Sequence, residues 1–217
     1  MIYQADHFPE EYRDRLFTLN MHGRRANVER LERRGSGFAG KHDPDVFLAE
    51  DEWFRGMEIS TGPDGAACIL DWSDACERHE HTGVHRSSVR IYRVTCGESA
   101  VPVFSTFNRM DVPALLEHPN DWFSRQLRGH LAENPIEPGI FEGAALNTEL
   151  EPVTRLRALW ALMTMRSPEA VGVARQFLTD PDESLRKWGI SVLTDDWQID
   201  HISGPPTNDP GKRTRNC

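Results

Sequence analysis

The sequence lacks several features that would assign a function at once. No apolar run in its 217 residues approaches the roughly 20 residues that a membrane-spanning helix needs. The first residues are polar and acidic, unlike a signal peptide. The four cysteines form no C-x-x-C or C-x-x-C-H pair, which excludes the usual zinc-knuckle and c-type haem signatures. Rossmann fingerprints, phosphate-binding loops and serine-hydrolase elbows are also missing.

Basic residues are in the minority as well. The chain has 25 Lys and Arg against 34 Asp and Glu, a net charge of -9. Nucleic acid is therefore disfavoured as a partner, because phosphate binding needs a basic face. Six Trp and ten Phe argue against wholesale disorder. The length suits one ordinary domain or two small ones.

The apolar residues before about position 96 come in short bursts typical of strands. These bursts occupy residues 15–20, 26–31, 57–61, 66–72 and 89–95. The GPDG sequence at 62–65 predicts a tight turn, since Pro fixes φ and Gly supplies a positive φ. We therefore expect an antiparallel meander, as found in sandwiches, barrels and propellers.

After residue 110 the apolar period becomes helical. Helices are predicted over 120–133, 153–165, 167–178 and 180–193, the third opening at Ser167 and Pro168. In the last one we expect Asp180 as N-cap, with Glu183 completing a capping box. Arg125, Arg155 and Arg186 recur about 30 positions apart, which suggests stacked helical pairs of the HEAT type, with an irregular helical bundle as the alternative.

These patterns predict three regions. A β region covers 1–98, an all-α repeat region covers 99–198, and a tail rich in Pro, Gly and charge covers 199–217. We expect the tail to be disordered because it has no periodic apolar face.

Two basic positions are candidate ligand contacts. Arg55 precedes a predicted strand, and its planar guanidinium suits a carboxylate. The alternative is that this segment is only two adjacent strands joined by a turn, with no ligand role for Arg55. His22 and Arg24 fall in a predicted turn between two strands and could face an anion. The alternative for that turn is a charged hairpin in which Glu29 and Glu32 offset the arginines.

The stretch DWSDACERHEHTGVHRSS at 71–88 contains residue types that bind metals. The zinc or copper candidates are Cys76, His79, His81 and His85. Their C-x2-H-x-H-x3-H spacing is not a well-attested motif, however, and a polar loop between two strands explains the composition as well. Asp71 and Asp74 could offer oxygens to calcium. We retain Asp74, His79 and His85 as the metal candidates.

Three segments resemble a known family: FPEEYRDRLFTLNMHGRRANVERLERRGSGFAG, DEWFRGMEISTGPDGAACILDWSD and HRSSVRIYRVTCG. They are similar to the last propeller blades of planctomycete-type membrane-bound dehydrogenases, whose propellers resemble the glucose/sorbosone dehydrogenases that use pyrroloquinoline quinone (PQQ). The HPNDW sequence at 118–122 and the helical repeats extend this resemblance over roughly residues 3–195. Two positions depart from the family pattern: Val89 replaces a Gly, and Gly56 replaces a Pro.

The resemblance implies a β-propeller with PQQ and calcium as cofactors. Arg55 and a basic residue near Arg24, with His22 beside it, would contact the quinone carboxylates, while Asp71 would lie at the rim of the blade. In such enzymes the catalytic base and the calcium ligands come largely from earlier blades. About two blades are encoded here, whereas a propeller needs roughly 4 to 8 to close.

We therefore expect a fragment of a quinoprotein dehydrogenase-like protein that is not catalytic alone. The full-length protein would take a sugar or alcohol and an electron acceptor, in an extracytoplasmic location implied only by the resemblance. The alternative is a non-catalytic propeller and HEAT-like scaffold that binds a protein partner on its helical surface.

Overall fold

A computed structural model of the chain describes residues 1–73, 88–98 and 112–195. The chain divides into two compact units, Met1–His130 and Leu131–Cys217. Antiparallel strands come first and α-helices follow, which confirms the β-then-α order. The first unit also includes a helix and most of the next one, beyond residue 98.

Six strands of the first unit form two antiparallel sheets. The first sheet has the order β1 (Leu16–Asn20), β2 (Arg25–Arg34), β3 (Gly37–Leu48). The second has the order β4 (Gly56–Thr61), β5 (Ala67–Asp71), β6 (Arg90–Val94). The N-terminal residues extend the first sheet, because Phe17 N donates to Met1 O at 2.7 Å and Tyr3 N donates to Arg15 O at 2.9 Å.

Strand β3 has no counterpart in the sequence pattern. It contains Gly37, Gly40 and Pro44, which are poor strand formers, and most of its side chains are exposed. Its conformation depends on antiparallel pairing with β2, from Arg34 opposite Gly37 to Arg25 opposite Leu48. A strand that is stabilised by its neighbour in this way cannot be predicted from apolar alternation alone.

The core of the first unit forms around Tyr3, Phe17 and Val28, all buried, with Ile59 of the second sheet packed against them. The ring of Tyr3 stacks on Phe8 with centroids 4.8 Å apart. Its hydroxyl accepts hydrogen bonds from His7 N and Phe8 N. The N-terminal segment is therefore an integral part of this core.

Helices follow the strands. They are α1 (Val112–Glu117), α2 (Asp121–Glu133), α3 (Gly139–Leu146), α4 (Pro152–Thr164), α5 (Glu169–Phe177) and α6 (Glu183–Thr194). In the second unit α3 packs on α4 and α5 packs on α6, and contacts of α3 with α5 and of α4 with α6 stack the two pairs. The four predicted helices are confirmed, whereas the short α1 and α3 have no counterpart in the predictions. Within the described ranges, no helix is both long and apolar enough to cross a membrane.

The predicted N-cap of the last helix is wrong. The cap of α6 is Asp182, whose Oδ1 accepts hydrogen bonds from Ser184 N at 2.8 Å and Leu185 N at 3.0 Å. Asp180 instead pairs with the buried Arg155, its Oδ2 lying 2.7 Å from Arg155 Nη2. Because a tertiary ion pair occupies Asp180, the capping role passes to the next acid and the helix starts at Glu183.

Candidate functional site

Four separate segments of the first unit meet at one end of its strands. They are the β1–β2 turn, the segment before β4, the end of β5 and the start of β6. Ala49 N donates to Arg24 O at 2.9 Å, and Trp72 N donates to Arg55 O at 3.0 Å. Antiparallel pairing sets Asp71 of β5 opposite Arg90 of β6. We call the charged residues gathered here the arginine–aspartate cluster: Arg24, Asp51, Arg55, Asp71 and Arg90.

Asp71 is the buried centre of this cluster. Its side chain is fully buried, and Oδ1 accepts hydrogen bonds from Arg55 N at 2.7 Å and Ser73 N at 2.9 Å. Its Oδ2 accepts from Arg90 Nε at 2.8 Å. A buried carboxylate needs such donors, since leaving it without them would be costly. Asp71 thus holds the segment before β4, the end of β5 and the start of β6 together.

Arg90 bridges two carboxylates. Its Nη2 lies 2.7 Å from Asp71 Oδ2 and its Nη1 lies 2.5 Å from Asp51 Oδ2, while the guanidinium sits 5.3 Å from the centroid of the Tyr92 ring. Burial opposes the charge, but the hydrogen bonds to both aspartates raise the pKa of Arg90. A hydrogen bond from Trp53 N and then the Arg90 contact lower the pKa of Asp51.

The predicted cofactor residues Arg55, Arg24 and His22 differ in their surroundings. Arg55 Nη1 donates to two main-chain carbonyls, Glu52 O at 2.9 Å and Phe54 O at 2.8 Å. Arg24 has a left-handed backbone conformation, with φ of 52°, and its charge helps to lower the pKa of Asp51. His22 is exposed in the same β1–β2 turn.

The structure places Arg24, Arg55 and Asp71 at the same end of the strands, each in contact or electrostatic interaction with another member of the cluster. It adds Asp51 and Arg90, which sequence reasoning missed. Arg90 opens the RIYRV strand, but nothing local marks which acids it would pair with. That these residues bind a cofactor stays a prediction.

The predicted metal residues Asp74, His79 and His85 lie outside the described residues. Among the residues that are described, no group of three or more His, Cys, Asp or Glu side chains is arranged to hold a metal ion.

The GPDG turn is a second place where distant segments meet. Gly65 has a φ of +75°, as predicted, and a Cβ there would lie 2.7 Å from the Cβ of His7. Asp64 Oδ1 accepts from Ala66 N inside the turn, while Asp64 Oδ2 accepts from Arg93 Nε of β6 at 2.9 Å. Gly is therefore required both for its backbone conformation and for close packing.

Two further side chains bind the carbonyls of this turn. Asn120, from the HPNDW sequence, donates from Nδ2 to Gly62 O at 3.0 Å and to Pro63 O at 3.2 Å. Tyr3 donates its hydroxyl to Gly65 O at 3.0 Å. The sequence motifs that carry the family resemblance thus contact one another and stabilise the fold of the first unit.

An apolar cleft of about 300 Å³ opens between the two sheets. Its walls include Phe17 and Phe47 of the first sheet, Ile59 and Ile69 of the second, and Tyr12 of the N-terminal segment. Among the described residues that line it there is no arginine or lysine. The described lining of this cleft therefore offers an anionic quinone no cation.

Comparison with known proteins gives a similarity for the strand-rich part, to a family without an assigned activity. A family model described as "Domain of unknown function (DUF7133)" matches residues 1–96, a range that includes the six strands of the described residues. The chain is similar to that family over this range. No curated protein and no solved structure matches the chain.

Proposed function

We propose that the chain is a binding part of a quinoprotein dehydrogenase-like propeller protein, without turnover of its own. The observation that carries the proposal is the convergence of Arg24 and Arg55 at one end of the strands. PQQ carries three carboxylic acids, so a site for it needs fixed positive charge. The resemblance of the two blades and of the HEAT-like helices to membrane-bound dehydrogenases supports the same function.

Arg24, Arg55 and Asp71 differ in how well they suit binding of PQQ. Arg24 and Arg55 are partly exposed and could each attract a carboxylate, Arg55 with its guanidinium already oriented by two carbonyls. Asp71 is fully buried and has three donors, so it would act by positioning Arg55 through the bond to its main-chain N–H. When bound, PQQ would supply the two-electron redox chemistry, whereas these side chains would only bind and orient it.

Calorimetric titration of the chain with PQQ in calcium-containing buffer tests the proposal. We expect binding that weakens about tenfold or more in the double variant Arg24→Gln/Arg55→Gln, because each lost arginine removes a charge-assisted hydrogen bond. Arg175→Gln is the matched control, since Arg175 is an exposed arginine of α5. Thermal unfolding of each variant separates loss of binding from loss of fold.

Turnover is measured separately, with sugars and alcohols and an artificial electron acceptor. We expect none from this chain. Sustained oxidation would contradict the non-catalytic part of the proposal, and unchanged PQQ affinity in the double variant would contradict the assignment of the site.

A protein-binding scaffold is the second candidate. Its supporting observation is the stack of two helical hairpins, with exposed apolar side chains that include Val153, Val171, Leu178 and Ile190. HEAT-like stacks present such surfaces to partners. Absence of PQQ binding, together with a partner bound by the wild type but not by Ile190→Asp, would favour this function.

A further inference from the structure

The cleft between the two sheets has a wall of aromatic rings that hold one another in place. The centroids of Phe8 and Tyr12 are 6.4 Å apart, and those of Tyr12 and Phe17 are 6.2 Å apart. Phe47 of β3, which also lines the cleft, packs on Phe54 with centroids 5.5 Å apart. Protein interiors are normally close-packed, so a space of about 300 Å³ beside such rings needs an explanation.

The facing wall is aliphatic, and its position is also fixed. Ile59 and Ile69, both in the lining, lie opposite each other in the β4–β5 register. Just after β6, Cys96 N donates to His7 Nε2 at 3.0 Å, which ties this end of the second sheet to the N-terminal segment. The two walls therefore have set positions, as in the pre-formed clefts that bind small molecules.

The mouth of the cleft lies apart from the arginine–aspartate cluster. Lining residues that are exposed to solvent mark this mouth, among them Glu11, Thr95 and Cys96. Arg90 opens β6, whereas Thr95 and Cys96 follow its last residue, so the length of the strand, about 16 Å, separates them. A ligand that enters here occupies a site of its own.

The charge and the size of the cleft define the kind of ligand that suits it. An acidic ligand would be repelled by Glu11 and would lose its water against apolar walls. A basic ligand would gain little, because an exposed carboxylate such as that of Glu11 holds an ammonium group only weakly. A cavity of about 150 Å³ holds benzene, so about twice that volume has room for about a dozen heavy atoms, the size of two fused aromatic rings.

We propose that this cleft binds an uncharged aromatic molecule of about that size. Its rings lie between the aromatic wall and the pair of Ile59 and Ile69, where ring contacts and the burial of apolar surface stabilise the complex. The inference does not depend on the proposed function, because the cleft shares no residue with the arginine–aspartate cluster.

Two fluorescent probes with the same ring skeleton test the proposal. N-phenyl-1-naphthylamine is uncharged, whereas 8-anilino-1-naphthalenesulfonate adds one sulfonate. In fluorescence titrations of the whole chain we expect the uncharged probe to bind about tenfold tighter or more, since the sulfonate would be desolvated beside Glu11 without a cationic partner. Equal affinities, tighter binding of the sulfonate, or no binding of the uncharged probe would overturn the proposal.

A variant that fills the cleft tests where the uncharged probe binds. Ala26 lines the cleft and is 1% exposed, so a larger side chain there takes up part of the space. We expect Ala26→Leu to weaken binding about tenfold or more, because the probe then has to displace packed side chains. Ile91→Lys is the control, since Ile91 is 75% exposed and does not line the cleft. Unchanged affinity in Ala26→Leu, or a loss in Ile91→Lys, would place the probe elsewhere and refute the assignment.

A second pair of variants changes only exposed residues, so its result does not depend on repacking of the core. Glu11→Lys puts a cation at the mouth, and we expect the sulfonate probe to gain affinity several-fold at low salt and less at high salt. Glu10→Lys is the matched control, because Glu10 is also exposed but does not line the cleft. The uncharged probe should bind both variants as it binds the wild type. The same gain in both variants would show that the sulfonate does not bind at this mouth, and would contradict the proposed site.

Discussion

The two units each contain an arginine–aspartate pair, but the pairs differ in the number of carboxylates the arginine binds and in their exposure to solvent. In the first unit Arg90 pairs with Asp71 and Asp51, and its side chain is 35% exposed. In the second unit both partners of the Arg155–Asp180 pair are nearly buried, at 8% and 7%. Arg155 also donates to Ala145 O and lies over the Phe177 ring. The first pair joins strands that are distant in sequence, whereas the second joins neighbouring helical hairpins.

This difference shows how similar residue types acquire different roles. In both units an arginine donates to main-chain carbonyls: Arg55 to Glu52 and Phe54, and Arg155 to Ala145. The more completely the pair is buried, the more its loss costs, because the remaining partner is left without solvent.

The largest expected effect comes from breaking the two pairs in turn. We expect Arg155→Met to lower the free energy of unfolding by about 3–5 kcal/mol, since it leaves Asp180 buried and unpaired. Asp71→Asn should cost less, about 2 kcal/mol, because Arg90 keeps Asp51 and partial access to water. Urea unfolding measures both values, and hydrogen exchange shows which elements open.

The control for this comparison is Asp6→Asn at an exposed site, which should change stability by no more than about 0.5 kcal/mol. A larger cost for Asp71→Asn than for Arg155→Met would reverse the order drawn from burial.

Two glycines of the second unit test how tightly its helices pack. A Cβ on Gly189 of α6 would lie 2.7 Å from Ala174 O, whereas one on Gly172 of α5 would meet nothing within 4 Å. We expect Gly189→Ala to destabilise by about 1–3 kcal/mol through overpacking. Gly172→Ala should stabilise by about 0.5–1 kcal/mol through helix propensity. Thermal unfolding distinguishes the two, and a shared direction of change would refute the close α5–α6 approach.

In the first unit Asn120→Ala should have a moderate effect. It removes the hydrogen bonds to Gly62 O and Pro63 O from a buried side chain, which we expect to cost about 1–2 kcal/mol. Hydrogen exchange in the GPDG turn should rise. Asn147→Ala, at an exposed asparagine, is the matched control, and equal exchange in both variants would contradict the role given to Asn120.

The smallest expected effect is a pH dependence in the β2–β3 hairpin. A hydrogen bond to Glu29, 3.0 Å from His42 Nδ1, raises the pKa of His42 above 6.5. Because the folded pKa is raised, this contact stabilises the fold fully below pH 6.5 and is lost as pH rises through the raised value. NMR titration should show the shift in the wild type and its loss in Glu29→Gln. Identical titration curves would rule out the contact.

Much of the fold follows from local pattern, as particular elements show. The GPDG turn and the helices α2, α4, α5 and α6 come from residues within a few positions of one another. The sequence pattern did not predict strand β3, because pairing with β2 overrides the low strand propensity of its glycines and Pro44. The predicted N-cap of α6 is wrong because Asp180 forms an ion pair with Arg155, 25 positions earlier in the chain.

The candidate site also has parts that the sequence could predict and parts that it could not. The sequence points to Arg24, Arg55 and Asp71 as polar residues at strand ends, but it cannot indicate that Asp71 is buried or that Arg90 bridges it to Asp51. Those contacts join positions 19 and 39 apart in the chain.

The sequence by itself determined the order of strands before helices, the tight GPDG turn and the residue types available at one end of the sheets. Periodicity and turn chemistry are short-range properties, so each can be recognised within a dozen residues. Only the tertiary structure decided which charges pair, which apolar residues are buried and which, such as Ile91, face solvent. Burial and ion pairing depend on segments that meet in space, and their free energies are set by that environment rather than by the residue type alone.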